Sequence, residues 1–268
     1  MLKRHEDTAG LTLVVGGCHV SCHLVGKDLS FPSFLQEIGE LPEESDCVLI
    51  PTVSAKAASR RIGDVLRTHR VSRVILQIGH YETVRACRYS LPWRRQEASA
   101  SGASERKPKN SPEPRASSIV PAETKKISLR MYVRSLLGGR AIHWLGFDRE
   151  ALTDPDFEKS FDGAVSNLLD YLQSAGITNI VLLSCFPAAN HRVNYMRQIA
   201  NRILVERARR VGLPYVDLWP ALSFQSGPLR GVARPGVLAD SGHLNVDGHR
   251  IVAHEIASVL SSRRRLSQ

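Results

Sequence analysis

The chain has 268 residues and a mass of 29.6 kDa, with 43% hydrophobic residues, enough to bury a full core as one α/β domain spanning 1–268. Its net charge of +10 invites a nucleic-acid partner, but aromatic residues make up only 6% and no basic stripe is interleaved with them, so a base-stacking surface is not expected. No run approaches the roughly 18 to 20 apolar residues of a membrane span, and the opening MLKRHEDTAG lacks an apolar signal core; a cytoplasmic protein without membrane contact is the expectation.

In chain order, LTLVVGG (Leu11–Gly17) is a short β-branched run ending in a glycine turn, and it predicts a buried parallel strand. DCVLIPTV is a weaker strand, followed by helical spacing at Ala57, Ile62, Val65 and Leu66. SRVILQIG (Ser72–Gly79) is again a strand. Beyond it, a segment at about 94–126 is Ser, Ala, Pro and charge with almost no large apolar residue, which predicts a disordered surface insertion. From Leu91 to Arg130 there are nine Lys or Arg against four Glu, so much of the positive excess sits there. The stretch LRMYVRSLLGGRAIHWLGF resumes apolar spacing and suits a surface helix or a lid.

Phe161, Val165, Leu168, Leu169 and Leu172 then predict a helix, TNIVLLSCF a strand, and Ile199, Ile203, Leu204, Ala208 and Val211 another helix. LPYVDLWPA is a weak fifth strand, Ile251 to Leu260 a last amphipathic helix, and 261–268 a basic tail. Strands alternating with helices predict a three-layer α/β/α sandwich around a parallel sheet of about five strands.

Ligands of such sheets bind outside the carboxyl ends of the strands. The first strand brings Gly16, Gly17, Cys18 and His19 to that edge, and another brings Gly79, His80, Tyr81 and Glu82. Asp240 and His243 lie in a polar loop before the last helix. A thiol, an imidazole and a carboxylate are therefore candidates for one site. Five cysteines, an odd number, argue for reduced thiols rather than a disulfide framework. CHVSCH (18–23) has metal-ligand residue types, but no second pair follows at zinc-site spacing, and no metal is expected. Asn190, His191 and Asn194 reach the same edge, where helix capping is the simpler role. His249 and His254 belong to the last helix as packing or surface groups.

The layout resembles the SGNH hydrolases, also called the GDSL esterase/lipase family. DSGHLNVDGH, with Asp240, His243, Asn245 and Gly248, is similar to that family's last block, and NRILVERARRVGLPYVDLWPAL to the segment before it. The resemblance implies the flavodoxin-like three-layer fold and no metal or organic cofactor. It also sets VVGGCHV on the Gly-Asp-Ser block, with Cys18 in the place of the serine nucleophile. The implied triad is Cys18, His243 and Asp240, with the thiolate attacking, the imidazole moving the proton and the carboxylate orienting the ring.

The same alignment implies oxyanion or substrate-binding roles for Gly17, Ala55 and Gly79, with Tyr81 where the family has asparagine and His80 and Glu82 beside it. Losing one oxyanion donor costs roughly 100- to 1000-fold in rate, so the tyrosine is the main departure. The expected substrate is a small-molecule ester or thioester, hydrolysed or transferred through an acyl-cysteine. The alternative is an SGNH-fold binding or assembly protein that has lost catalysis.

Overall fold

In the computed structural model, residues 10–21, 24–42, 47–52, 54–89 and 156–266 are described. The expected insertion at 94–126 and the lid segment after it lie outside them. Five strands form one parallel sheet: β1 (Leu11–Gly16), β2 (Cys47–Pro51), β3 (Val71–Gln77), β4 (Ile180–Leu183) and β5 (Tyr215–Val216). Their spatial order is β2-β1-β3-β4-β5. This is the flavodoxin-like order, whose direction reverses between β1 and β3, so the loops after those two strands diverge and open a crevice.

The alternation of side chains along each strand builds two cores. Val14, Ile75, Val181 and Leu183 face one layer, made by α1 (Phe31–Glu37) and the last helix, α7 (Val246–Leu266), through Phe31, Leu35, Val252 and Ile256. Leu13, Val15, Val74, Leu76, Ile180 and Leu182 face the other, made by α2 (Ala55–Leu66), α4 (Phe157–Ser174) and α5 (His191–Arg210). All ten of these strand residues are at most 1% exposed, each a burial worth about 1.5–3 kcal/mol. The helices α3 (His80–Tyr89) and α6 (Trp219–Leu222) complete the described elements of four residues or more.

Two features differ from the sequence expectation. Residues 80–82 open α3 rather than a loop. Glu82, three positions past the helix's N-cap, bonds back to the Gly79 amide and closes the first turn. At the other end, α7 continues to Leu266 across most of the expected tail, because arginine and leucine are good helix formers. Asn190 does cap α5, accepting from the Arg192 and Val193 amides at 2.9 and 3.2 Å. Among the described residues no helix is long and apolar enough to cross a membrane.

Candidate active site

Cys18 stands in the turn immediately after β1, half-buried, at the sheet edge where the crevice opens. The backbone amides of Val20 and Ser21 both donate to the Gly17 carbonyl, at 3.1 Å each, and hold this turn. The Cys18 amide donates to no group among the described residues.

The loop before α7 brings the second and third groups. Asp240 accepts from the amides of Gly242 and His243 at 2.8 Å each, folding the loop around its carboxylate. Its other oxygen lies 2.7 Å from His243 Nδ1. Partial burial raises the Asp240 carboxyl, but the bonds from the His243 ring and the two amides outweigh it and hold the group down at about 2. His243 is pushed up to about 10, first by its bond to Asp240 and next by a hydrogen bond to the Cys18 sulfur, against the effect of its own burial. The three groups are thus joined in the order carboxylate, imidazole, thiol, although Cys18 and Asp240 are more than 200 residues apart.

Tyr81 lies across the crevice from β1, on the first turn of α3, and is 42% exposed. Its ring packs over Gly17, where a Cβ would come within 3.1 Å of it. The Tyr81 hydroxyl is hydrogen-bonded to the Cys18 sulfur, and its pKa is raised by burial and then by the Cys18 charge and that bond. A glycine at 17 therefore leaves the space that a tyrosine at 81 fills. A shallow cleft is lined by Gly17, Thr52, Ser54, Gln77, Ile78, Gly79, His80, Tyr81 and Glu82.

Three sequence expectations need correction. The Ala55 amide is not open to a substrate oxygen, because it donates to Glu82 Oε1 at 2.8 Å as α2 begins. Glu82 in turn is a structural anchor: its carboxylate ties the starts of α2 and α3, and burial raises its pKa against the Ala55, Glu82 and Gly79 amide bonds that lower it. His80 is buried, with Nε2 accepting from the Phe186 amide at 2.9 Å and Nδ1 2.6 Å from the Gln77 side-chain amide, so protein groups engage both ring nitrogens although the residue lines the cleft. Gly17 donates its amide to Gln77 Oε1 at 3.3 Å. Gly79 has φ +100°, and a Cβ there would meet Cys185 Sγ at 2.6 Å, which is why only glycine serves at this turn.

Beneath Cys18 lies a buried polar layer that the sequence does not announce. His19 is 2% exposed and places Nδ1 3.8 Å from the Cys18 sulfur. Its ring centroid lies 5.1 Å from that of His80, 5.7 Å from His243 and 6.0 Å from His249. Burial, before all else, drives the pKa of His19 and His80 well below the usual value and that of His249 to about 3. Arg197 lies under them, buried, donating from Nη1 to the Phe186 carbonyl at 2.7 Å, with no carboxylate paired to it among the described residues. The only sequence signal for His19 is its adjacency to Cys18. Cys22 and His23 lie outside the described residues. Among the described residues no group of three or more His, Cys, Asp or Glu converges as a metal site.

No protein-family profile and no curated protein sequence matches this chain. Solved structures do. A GDSL-like lipase from Bacteroides thetaiotaomicron aligns over 98% of this chain and 93% of its own at 11% identity, with a TM-score of 0.54. A G-D-S-L family lipolytic protein, described as putative, from Desulfitobacterium hafniense aligns over 93% and 99%, also at 11% identity, with a TM-score of 0.56. A catalytic mutant of an acetylxylan esterase from Geobacillus stearothermophilus aligns over 94% of each chain at 11% identity, with a TM-score of 0.53. The chain therefore shares the fold of these proteins. Specifically, it is the SGNH, or GDSL, hydrolase fold, with a cysteine after β1.

Proposed function

We propose that the protein is an SGNH-type acyl hydrolase or acyltransferase whose nucleophile is Cys18, acting on an ester or thioester. The observation that carries this reading is the hydrogen-bonded line from Asp240 through His243 to the Cys18 sulfur at the carboxyl edge of β1. His243 takes the proton of the Cys18 thiol, and the sulfur attacks the carbonyl carbon as a thiolate. As the tetrahedral intermediate collapses, the carbon–oxygen or carbon–sulfur bond to the leaving group breaks and His243 gives that group its proton. Water or another acceptor then loses a proton to His243 and attacks the acyl-cysteine, which releases the acid or the transferred product and restores the thiol pair. Asp240 keeps the imidazole in one tautomer throughout.

The oxyanion is met by the Cys18 amide and by the Tyr81 hydroxyl, which rests on the sulfur and needs only a small rotation to follow the developing charge. Ala55 contributes no donor. Acylated cysteine is itself a thioester, a good acyl donor, so transfer competes with hydrolysis when an acceptor is bound.

The test is turnover of a panel of activated acyl esters and thioesters, from acetyl upward, by the wild type, Cys18→Ala, His243→Ala and Tyr81→Phe. Cys18→Ala and His243→Ala are expected to abolish turnover, and Tyr81→Phe to lower kcat roughly 100-fold. Wild-type turnover that survives Cys18→Ala would remove the nucleophile. No turnover of any member would favour a binding or assembly role.

A further inference from the structure

Three imidazoles surround that of His19, which lies beside Cys18, and neighbours fix the tautomer of two of them. His243 has its Nδ1 proton on Asp240. His80 accepts the Phe186 amide at Nε2, and the Gln77 side-chain nitrogen, also a donor, lies 2.6 Å from its Nδ1. His249 accepts the Phe31 amide at Nδ1, at 3.1 Å, so as a neutral ring it carries its proton on Nε2. That Nε2 is buried without a hydrogen-bond partner among the described residues, and the same is true of Nε2 of His19. A buried donor needs an acceptor, and two buried donors facing no acceptor are the worst assignment available.

One choice resolves both. With the His19 proton on Nδ1, its Nε2 becomes an acceptor for the His249 Nε2–H, directly after a small ring rotation or through one buried water across the 6.0 Å between centroids. The His19 proton then lies on the nitrogen that is 3.8 Å from the Cys18 sulfur. We infer that His19 is a positioning residue for Cys18: the Phe31 amide orders His249, His249 orders His19, and the His19 Nδ1–H donates to the sulfur from the buried side while His243 and Tyr81 engage it from the crevice. This rests on the reading of Cys18 as nucleophile and adds to it a second imidazole, whose charged form burial disfavours. Burial above all, and then His80, His249, His243 and Arg197, lower its pKa. His19 therefore orients and polarises the sulfur but does not exchange protons with it. The ordering also makes His249 a donor at Nε2, not a metal ligand.

Two measurements test this, and neither uses an acyl substrate. Imidazole 15N spectra of the wild-type protein are expected to show His19 protonated at Nδ1 and His249 at Nε2. Alkylation of Cys18 by iodoacetamide at pH 7 is expected to slow about tenfold in His19→Phe, the scale of one hydrogen bond to a charged group, and to recover in His19→Asn, whose amide nitrogen stands near the Nδ1 position. A His19 proton on Nε2, or a wild-type alkylation rate in a folded His19→Phe, would overturn the inference. The spectra need no variant to fold. Failure of acyl transfer to Cys18 would leave both readouts intact, so the two claims fail separately.

Discussion

Lowering the pH from 7.5 to 5.5 should destabilise this protein through the floor of its candidate site. His19, His80 and His249 are buried and neutral, and their folded pKa values lie well below the 6.5 of an unfolded chain, about 3 for His249. For a group whose folded pKa is depressed, the unfolded state binds the proton first as pH falls, so stability declines from about 6.5 downward. Between pH 7.5 and 5.5 His249 alone costs on the order of 1 kcal/mol, and His19 and His80 add losses of the same sign. His243 works the other way. Its pKa is raised to about 10, so its contribution is complete below 6.5 and lost as pH climbs toward 10; over the same interval it returns on the order of 1 kcal/mol. Glu82, raised by burial, also opposes the loss. His249 and His243 nearly offset each other over this interval, so the net expectation is a loss of stability carried by His19 and His80. Urea unfolding at the two pH values measures it directly, and His249→Gln should reduce the pH slope by about one proton. Stability that is unchanged or higher at pH 5.5 would refute the assignment of these rings as neutral and buried.

Other outcomes follow from the same geometry. Gly79→Ala combines a φ of +100° with a Cβ 2.6 Å from Cys185 Sγ, and should destabilise by about 3 kcal/mol or more in thermal or urea unfolding. Glu82→Gln removes the carboxylate that holds the Ala55 amide and the start of α3; a loss of about 1–3 kcal/mol is expected by the same assay, with alkylation of Cys18 largely unchanged. Asp240→Asn removes the first cause of the raised His243 pKa, so the pH profile of Cys18 alkylation should move and turnover should fall by several orders of magnitude, as expected when a triad's orienting carboxylate is lost.

The sheet is legible in the sequence because β1, β3 and β4 are short runs of branched apolar residues that stay buried on both faces, a pattern that half-exposed strands and surface helices do not produce. The long helices are legible for a related reason: one apolar stripe each, as in Phe161 to Leu172. The helices α1 and α3 are not, since seven and ten residues hold too few periodic positions to stand out, and α3 is specified chiefly by Glu82 reaching back to its own start. At the site, Cys18, Asp240 and His243 are visible through their local settings, a glycine turn and a polar loop before a helix. What escapes a reading of the sequence is the allocation of hydrogen bonds between distant segments. The Ala55 amide is taken by Glu82, the His80 ring is held by the Phe186 amide, and His249, which reads as filler on a helix, receives at Nδ1 an amide 218 residues away. Such partnerships depend on the assembled sheet and leave no periodicity to read.

The central claim is that Cys18 carries the acyl group. Brief reaction with an activated acetyl ester, acid quench and intact-mass analysis, followed by peptide mapping, tests it most directly. The account predicts one added acetyl group per chain on the peptide containing Cys18, absent in Cys18→Ala and strongly reduced in His243→Ala. An adduct of the same mass and rate in Cys18→Ala, or one mapped to another residue in the wild type, would contradict it.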